Sequence, residues 1–315
     1  MAGLRHAYVP PAAARRDEHR ATVTHDTDDT RATPPTGTRR GGTLYVVGTP
    51  IGNLDDLSPR ARDVLERVSA IAAEDTRRTS GLLSTIGLKK QLIAFHEHNE
   101  DQRAGALLAR LAEGESLALV SDAGMPLISD PGWRLVERAL DAGFDVRTIP
   151  GPSAVTAALS VSGLPTDRYV FEGFLPRRAQ ARDARLEALR GEERTLVFFE
   201  SVHRMSETVD ALVRVFGPTR RACVARELTK VHEQVFRGTL EEIGRALCDA
   251  IPLLGEFVLV VAGRPAEAAG ENVADVRRVF DVLRRELPPG RAAALTAELT
   301  GVSRNVVYKL TQVAE

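Results

Sequence analysis

The chain has 315 residues, of which 43% are hydrophobic and 27% charged, and its formal net charge is −1. That length can bury the cores of two domains plus appendages, and the near-neutral charge excludes a globally basic nucleic-acid binder, so any such partner must meet a local basic patch. No apolar run approaches a membrane span, and Cys223 and Cys248, the only cysteines, lack metal-type spacing, which reads as a reducing cytoplasm without structural zinc.

Met1 to about Arg40 is rich in Arg, Asp, Thr, Ala and Pro and has no hydrophobic period. It predicts a disordered tail over 1–41, or a start codon assigned too early, and holds no signal-peptide core. Leu44–Val47 then reads as a buried strand running into Gly48-Thr49-Pro50-Ile51-Gly52-Asn53. Two glycines allow a sharp turn and close approach to a ligand, and Pro50 stiffens the loop. Ser58-Pro59 opens a helix as cap and first residue, with Ala61, Val64, Leu65 and Val68 as its apolar stripe. Further strands are expected at Ala70–Ala73, Leu92–Phe95, Leu117–Val120 and Asp145–Ile149. Between them a helix spans about Asp101–Ala112; Asp130 and Pro131 cap the next, which Gly143 closes. This alternation means a mostly parallel sheet covered on both faces.

After Gly163 the pattern changes. Strands are expected at Tyr169–Glu172, Thr195–Glu200, Ala222–Ala225, Glu233–Phe236 and Phe257–Val261. Val231–Gly238 leaves no room for a crossover helix, so the second sheet is mixed. A linker over 264–270 leads to three helical stretches, broken at Pro288-Pro289-Gly290 and at Thr300-Gly301. The fold class is therefore α/β: a first α/β domain over 42–153, a second over 154–264 and a helical module over 271–315.

Five strand ends carry polar or glycine-rich loops: TPIGN, EDTR, HEHN, SDAGMP and PGPS. In a parallel sheet such ends line one edge and converge into a cleft. Asp122-Ala123-Gly124 sets a carboxylate beside backbone without bulk, suited to an adenosine or a sulfonium methyl donor; the alternative is a local turn cap. Pro150-Gly151-Pro152-Ser153 brings a helix N-terminus to the same edge. Neither a Walker lysine pattern nor G-x-G-x-x-G is present. Glu74 and Asp75 beside Arg77 fit a general base with an electrostatic clamp, or equally a surface ion-pair cluster. His96 and His98 share a side, but a zinc site needs a third ligand that the sequence does not name. Arg226-Glu227-Leu228-Thr229-Lys230 places two cations around a carboxylate, a phosphate or hydroxyl handle or a solvated loop. Phe199–Arg204 has the same ambiguity. In the tail, Ala292–Leu310 has helix-turn-helix spacing, with Arg304, Asn305, Tyr308 and Lys309 on the second helix. A small packing bundle is the other reading.

In order along the chain, TPIGNL, AAEDTR, HEHN, SDAGMPLISDPG, PGPSA, EGFLPR, FFESVHR and ARELTK resemble the small-subunit ribosomal RNA (cytidine-2′-O-)-methyltransferases, of the tetrapyrrole-methylase superfamily. The resemblance runs from about Gly42 to the C-terminus. It implies S-adenosylmethionine as donor, two α/β domains with the donor between them, ribosomal RNA or the 30S subunit as partner, a homodimer and a C-terminal helical module. Carried over by position, Pro50, Gly52 and Asn53 match the first donor loop. Asp122, Ala123, Gly124 and Pro126 match the loop at the methionine part, and Pro152, Ser153 and Ala154 the next donor-side turn. Met125 stands where the family usually has threonine, and Leu254 where many relatives have lysine. On this reading Asp75 and Glu227 are the expected bases, Arg77 and Lys230 orient phosphate or stabilise an alkoxide, Arg304 and Lys309 contact RNA, and no metal is required.

Two rivals remain at this level. A methyltransferase acting on a tetrapyrrole precursor fits the superfamily, but the helical tail and EDTR argue against it. A nucleic-acid-binding regulator fits the tail, but the converging loops argue against it.

Overall fold

The computed structural model describes residues 41–247, 249–265 and 273–312. Residues 1–40 of the tail expected over 1–41, and the reading of Cys248, lie outside them.

The first sheet contains β1 (Thr43–Val47), β2 (Ala70–Ala73), β3 (Gln91–Ala94), β4 (Leu117–Val120) and β5 (Asp145–Ile149), all parallel, in the order β3-β2-β4-β1-β5. Successive side chains on a strand point to opposite faces. Ile71, Ala73, Ala118 and Val120 therefore meet α1 (Pro59–Arg67) and α2 (Thr76–Thr85). Ala70, Ala72, Leu117 and Leu119 meet α3 (Glu100–Ala112) and α4 (Trp133–Asp141) on the other face. Both faces are buried, which is why β2 and β4 read as unbroken apolar runs. The chain leaves β1 towards one face and β4 towards the other. Their carboxyl ends thus flank the crevice where open parallel sheets bind ligands.

The start of α1 is as the sequence predicts: the Ser58 side chain accepts from Ala61 N at 3.1 Å, and Pro59 is the first helical residue. The start of α4 is not. Asp130 and Pro131 do not cap it; Gly132, at φ 126°, takes that position. The acceptor comes from α3, where the buried Glu100 carboxylate accepts from Gly132 N at 3.2 Å and Arg134 N at 3.1 Å. An orphan helix N–H needs only a well-placed oxygen, and a tertiary neighbour can supply it. Asp130 is left free to face elsewhere.

The helix α5 (Ala154–Ser162) leads to a second sheet. That sheet orders β6 (Tyr169–Phe174), β7 (Thr195–Ser201), β8 (Arg221–Arg226), β9 (Gln234–Thr239) and β10 (Glu256–Val261) as β6-β7-β10-β8-β9. Only β6 and β7 are parallel, so the sheet is mixed, and β8–β9 is an antiparallel hairpin with no crossover. Val197, Cys223, Ala225, Val258 and Val260 pack on α5, and Ile51 from the loop after β1 joins them. Leu196, Phe198, Val224 and Leu259 pack on α6 (Ala179–Leu189), α7 (Met205–Phe216) and α8 (Leu240–Ala246). Burial holds the Cys223 thiol un-ionised, its pKa pushed up to about 11.

The last helices, α9 (Val273–Arg284), α10 (Pro289–Thr300) and α11 (Arg304–Gln312), share a small core of Val276, Ala293 and Val307. Gly301, at φ 69°, ends α10 in the left-handed conformation that glycine tolerates best.

Candidate active site

A cleft of about 430 Å³ opens between the strand-end loops of the first sheet and the second sheet, a volume suited to a small-molecule ligand. Two bonds fix its floor. Thr49 N donates to Gly124 O at 2.9 Å, and Gly124 N donates to Thr49 O at 3.1 Å, tying the loops after β1 and β4. Gly48 is what permits this. A Cβ there would stand 2.7 Å from the Gly151 backbone and from the Met125 sulfur. Gly52 likewise abuts the Lys230 side chain, where a Cβ would clash. These two glycines therefore admit other parts of the chain, where the sequence reading had a ligand.

One wall is acidic. Glu74 follows β2, Asp122 follows β4, and Asp130 lies at the end of the loop before α4; all three line the cleft. Asp122 is no local turn cap. Its carboxylate accepts from Asp75 N at 3.0 Å and pairs with Arg78 Nε at 3.4 Å, bracing the loop after β4 against the start of α2. Burial raises the Asp130 pKa to about 6; the Ser121 hydroxyl opposes the rise, and Glu74 and Asp122 add to it. Glu74 is also raised, first by burial and then by Asp122. Closely set carboxylates in a partly desolvated site cannot all ionise freely. The rest of the lining includes the apolar side chains Ile51, Met125, Ala154 and Val258.

Of the expected donor residues, Asp122, Ala123, Gly124, Ser153 and Ala154 line the cleft. Pro50, Gly52, Asn53, Pro126 and Pro152 stand behind or beside it. Asn53 caps a short turn, accepting from Asp55 N at 3.1 Å, while its neighbour Ile51 reaches the cleft. Pro126 is buried, and a Cβ on Gly124 would come 3.6 Å from Pro152 O.

The four expected catalytic residues are not on the lining. The Asp75 carboxylate caps α2 by accepting from Arg77 N at 2.8 Å and pairs with the Arg77 guanidinium at 2.9 Å. Those Arg77 hydrogen bonds lower its pKa to about 2. Glu227, at φ 51°, accepts from Lys230 Nζ at 2.8 Å and from Glu256 N at 2.9 Å. The Lys230 hydrogen bond is the main reason its pKa is lowered. Desolvation pulls Lys230 down, but hydrogen bonds to Glu227 and Glu256 outweigh it and raise its pKa. In each motif the adjacent residues, Glu74 and Arg78 in one and Glu256 across from the other, are those that reach the cleft.

Sequence reasoning missed Asp130, Arg78, Glu256 and the aromatic Phe174, all on the lining. Asp130 sits within the quoted SDAGMPLISDPG motif, and a capping role hid it. Glu200 of the FFESVHR motif also touches the cleft, yet its buried carboxylate accepts from Thr208 Oγ1 at 2.6 Å and Ser201 N at 2.8 Å, joining β7 to α7. His96 is held by Asn99 at 3.1 Å, and among the described residues no group of three His, Cys, Asp or Glu could hold a metal. In the tail module Arg304 and Lys309 are exposed on α11, but five residues at about 100° each set them roughly 140° apart around the helix.

A crevice at the carboxyl edge of a parallel five-stranded sheet, closed by a second, mixed sheet, defines a class. Residues 43–244 match the tetrapyrrole (corrin/porphyrin) methylases, and the chain belongs to that family. Residues 270–312 match the RsmI C-terminal HTH domain. The chain is 51% identical over 268 residues to the ribosomal RNA small subunit methyltransferase I of Xylella fastidiosa (strain Temecula1 / ATCC 700964), covering 85% of this chain and 98% of the relative. It is 47% identical over 269 residues to the protein of that name from Escherichia coli O157:H7, covering 85% and 94%. Among solved structures, a diphthine synthase aligns at TM-score 0.54 and 16% identity over 70% of this chain and 89% of its own. The methyltransferase CobJ aligns at 0.53 and 21% over 71% and 95%. Those two likenesses concern the fold alone.

Proposed function

We propose that this chain transfers a methyl group from S-adenosylmethionine to the 2′-oxygen of a cytidine ribose in small-subunit ribosomal RNA. The observation that carries the reading is the acidic wall formed by Glu74, Asp122 and Asp130, in a chain half identical to relatives named for ribosomal RNA methylation. The donor presents an ammonium and a sulfonium, and the carboxylates match both cations. Ile51, Met125, Ala154 and Val258 offer the apolar surface that an adenine needs, beside Gly124, which carries no side chain of its own.

When bound, S-adenosylmethionine supplies a methyl group already activated on a positively charged sulfur. The chain must align the ribose hydroxyl, exclude water and take up its proton. Asp130 is the base this geometry favours over Asp75 and Glu227. Its pKa, raised to about 6 by burial, lies nearer working pH, whereas cations hold the other two carboxyls low. Asp75 then serves by fixing α2 and Asp122, and Glu227 by holding Lys230 against Gly52 and Glu256. Arg77 and Lys230 remain the proposed contacts for phosphate near the cleft, and Arg304 and Lys309 those of the tail. A homodimer and a cytoplasmic location belong to the same reading; the resemblance supports the first and the cysteine usage the second. No helix among the described residues is long and apolar enough to cross a membrane.

The test is transfer from labelled donor to 30S subunits, protein-free ribosomal RNA or uroporphyrinogen. Label in RNA as 2′-O-methylcytidine is the expected result. Label in the tetrapyrrole alone, or in neither, refutes the reading.

A further inference from the structure

The mouth of the cleft is built in a way that donor binding does not explain. Phe174, at the end of β6, is 56% exposed and lines the cleft. Two backbone features set it there: the β6–β7 register shifts between Phe171 and Gly173, and Gly173 sits at φ 64°. A bulge re-aims the side chains that follow it. The ring is braced edge-on by Phe199 at 5.6 Å, and Phe199 by Phe171 at 4.9 Å. Phe174 is therefore supported on one side by edge-on rings and left largely open to solvent.

From the first domain, Ile128 reaches the same cleft and is 42% exposed. Its neighbours Leu127 and Ser129 stand at φ 74° and 65°, a left-handed conformation that non-glycine residues avoid. Such backbone persists at ligand clamps, where the surroundings enforce it. The two sides meet closely: a Cβ on Gly173 would lie 3.0 Å from Ser129 Oγ. Arginines stand beside this mouth, two of them paired with carboxylates, Arg78 with Asp122 and Arg77 with Asp75. Arg78 lines the cleft, and Arg77, Arg177 and Arg178 are exposed on the adjoining α2 and β6–α6 segments.

The geometry points to Phe174 and Ile128 as the two jaws of a clamp for the base of an extruded target nucleotide, with the neighbouring arginines on its flanking phosphates. This rests on the RNA reading above. Enzymes that act on a base extrude its nucleotide into a pocket, and drawing a target nucleotide out in the same way would carry its 2′-oxygen to a donor bound in the cleft. Unstacked RNA bases are held on aromatic faces and their phosphates by arginine. The occupant is a nucleobase, whose flat face an exposed phenyl matches whatever its identity; on the reading above it is cytosine.

The experiment uses the full chain, 30S subunits purified from cells lacking this activity, labelled S-adenosylmethionine for kinetics and S-adenosylhomocysteine for calorimetry. Phe174→Leu keeps apolar bulk against Phe199 but removes the ring face; Phe174→Trp keeps it. Phe174→Leu should raise the KM for subunits about five- to hundredfold, the range of one lost stacking contact. S-adenosylhomocysteine affinity should not change, and Phe174→Trp should restore KM. Ile128→Asp should raise KM in the same way. An unchanged KM in Phe174→Leu overturns the clamp. So does a matching loss of S-adenosylhomocysteine affinity, which would place Phe174 in the donor wall, or a failure of Phe174→Trp to restore KM while it folds normally. Absence of transfer by the unsubstituted protein is a different outcome: it refutes the RNA reading itself.

Discussion

Asp130→Asn separates catalysis from stability. Burial pushes the Asp130 carboxyl from the ordinary aspartate value of 3.8 up to about 6. Between those values the native state binds more protons than the unfolded chain, so this group makes stability fall as pH rises through the window. Above pH 6 the full penalty is present. Two units correspond to about 3 kcal/mol, but Asp130 is only partly buried and solvent screens it, so about 1.5 kcal/mol is the defensible figure. Asparagine keeps an oxygen for Ser121 and removes the charge. At pH 8 the variant should melt about 3–5 °C higher, and at pH 5, where about half the penalty has accumulated, about half as much. Methyl transfer should fall by about a hundredfold or more, the usual contribution of a positioned base. In the unsubstituted enzyme the rate should rise with pH through about 6, because the base must be deprotonated. Melts at the two pH values and a pH–rate profile decide it. Near-normal transfer, or a melting shift that is absent or equal at both pH values, refutes the reasoning.

Other outcomes follow from the same geometry. Gly48→Ala puts a methyl 2.7 Å from the Gly151 backbone, and overpacking of this kind costs about 1–3 kcal/mol; the melting temperature should drop by several degrees, with donor affinity lost in step. Glu100→Ala leaves Gly132 N and Arg134 N without their acceptor, so denaturant titration should show a loss of about 1–3 kcal/mol. Arg304→Ala with Lys309→Ala should weaken binding to ribosomal RNA and lower its salt slope, leaving S-adenosylhomocysteine affinity intact; an unchanged slope would reduce α10–α11 to a packing bundle. Gly124→Val forces a β-branched residue to φ 80° beside Ile51 and should abolish donor binding in calorimetry.

Local patterns were enough for much of this fold. Apolar runs located the strands of both sheets, Ser58-Pro59 located the start of α1, and the lack of crossover length over Val231–Gly238 pointed to the mixed second sheet. Each depends on residues close in the chain, whose propensities act before any tertiary contact forms. The convergence of the TPIGN, SDAGMP and PGPS loops also followed, because parallel strands must present their carboxyl ends together.

Which residue of each motif faces the cleft was decided only by the tertiary structure. Asp75 and Glu74 are adjacent, yet one caps α2 and the other lines the cleft, since successive residues at a strand end turn opposite ways. Asp130 looked like a cap until Glu100, thirty positions earlier, supplied that oxygen from α3. Phe174 lies in the EGFLPR motif, but its place at the cleft mouth comes from a bulge and a left-handed glycine. Sequence by itself thus determined where the elements and loops lie; packing between segments far apart in the chain determined what each side chain does, because burial, hydrogen-bond partners and charge neighbours are properties of the space that distant segments create together.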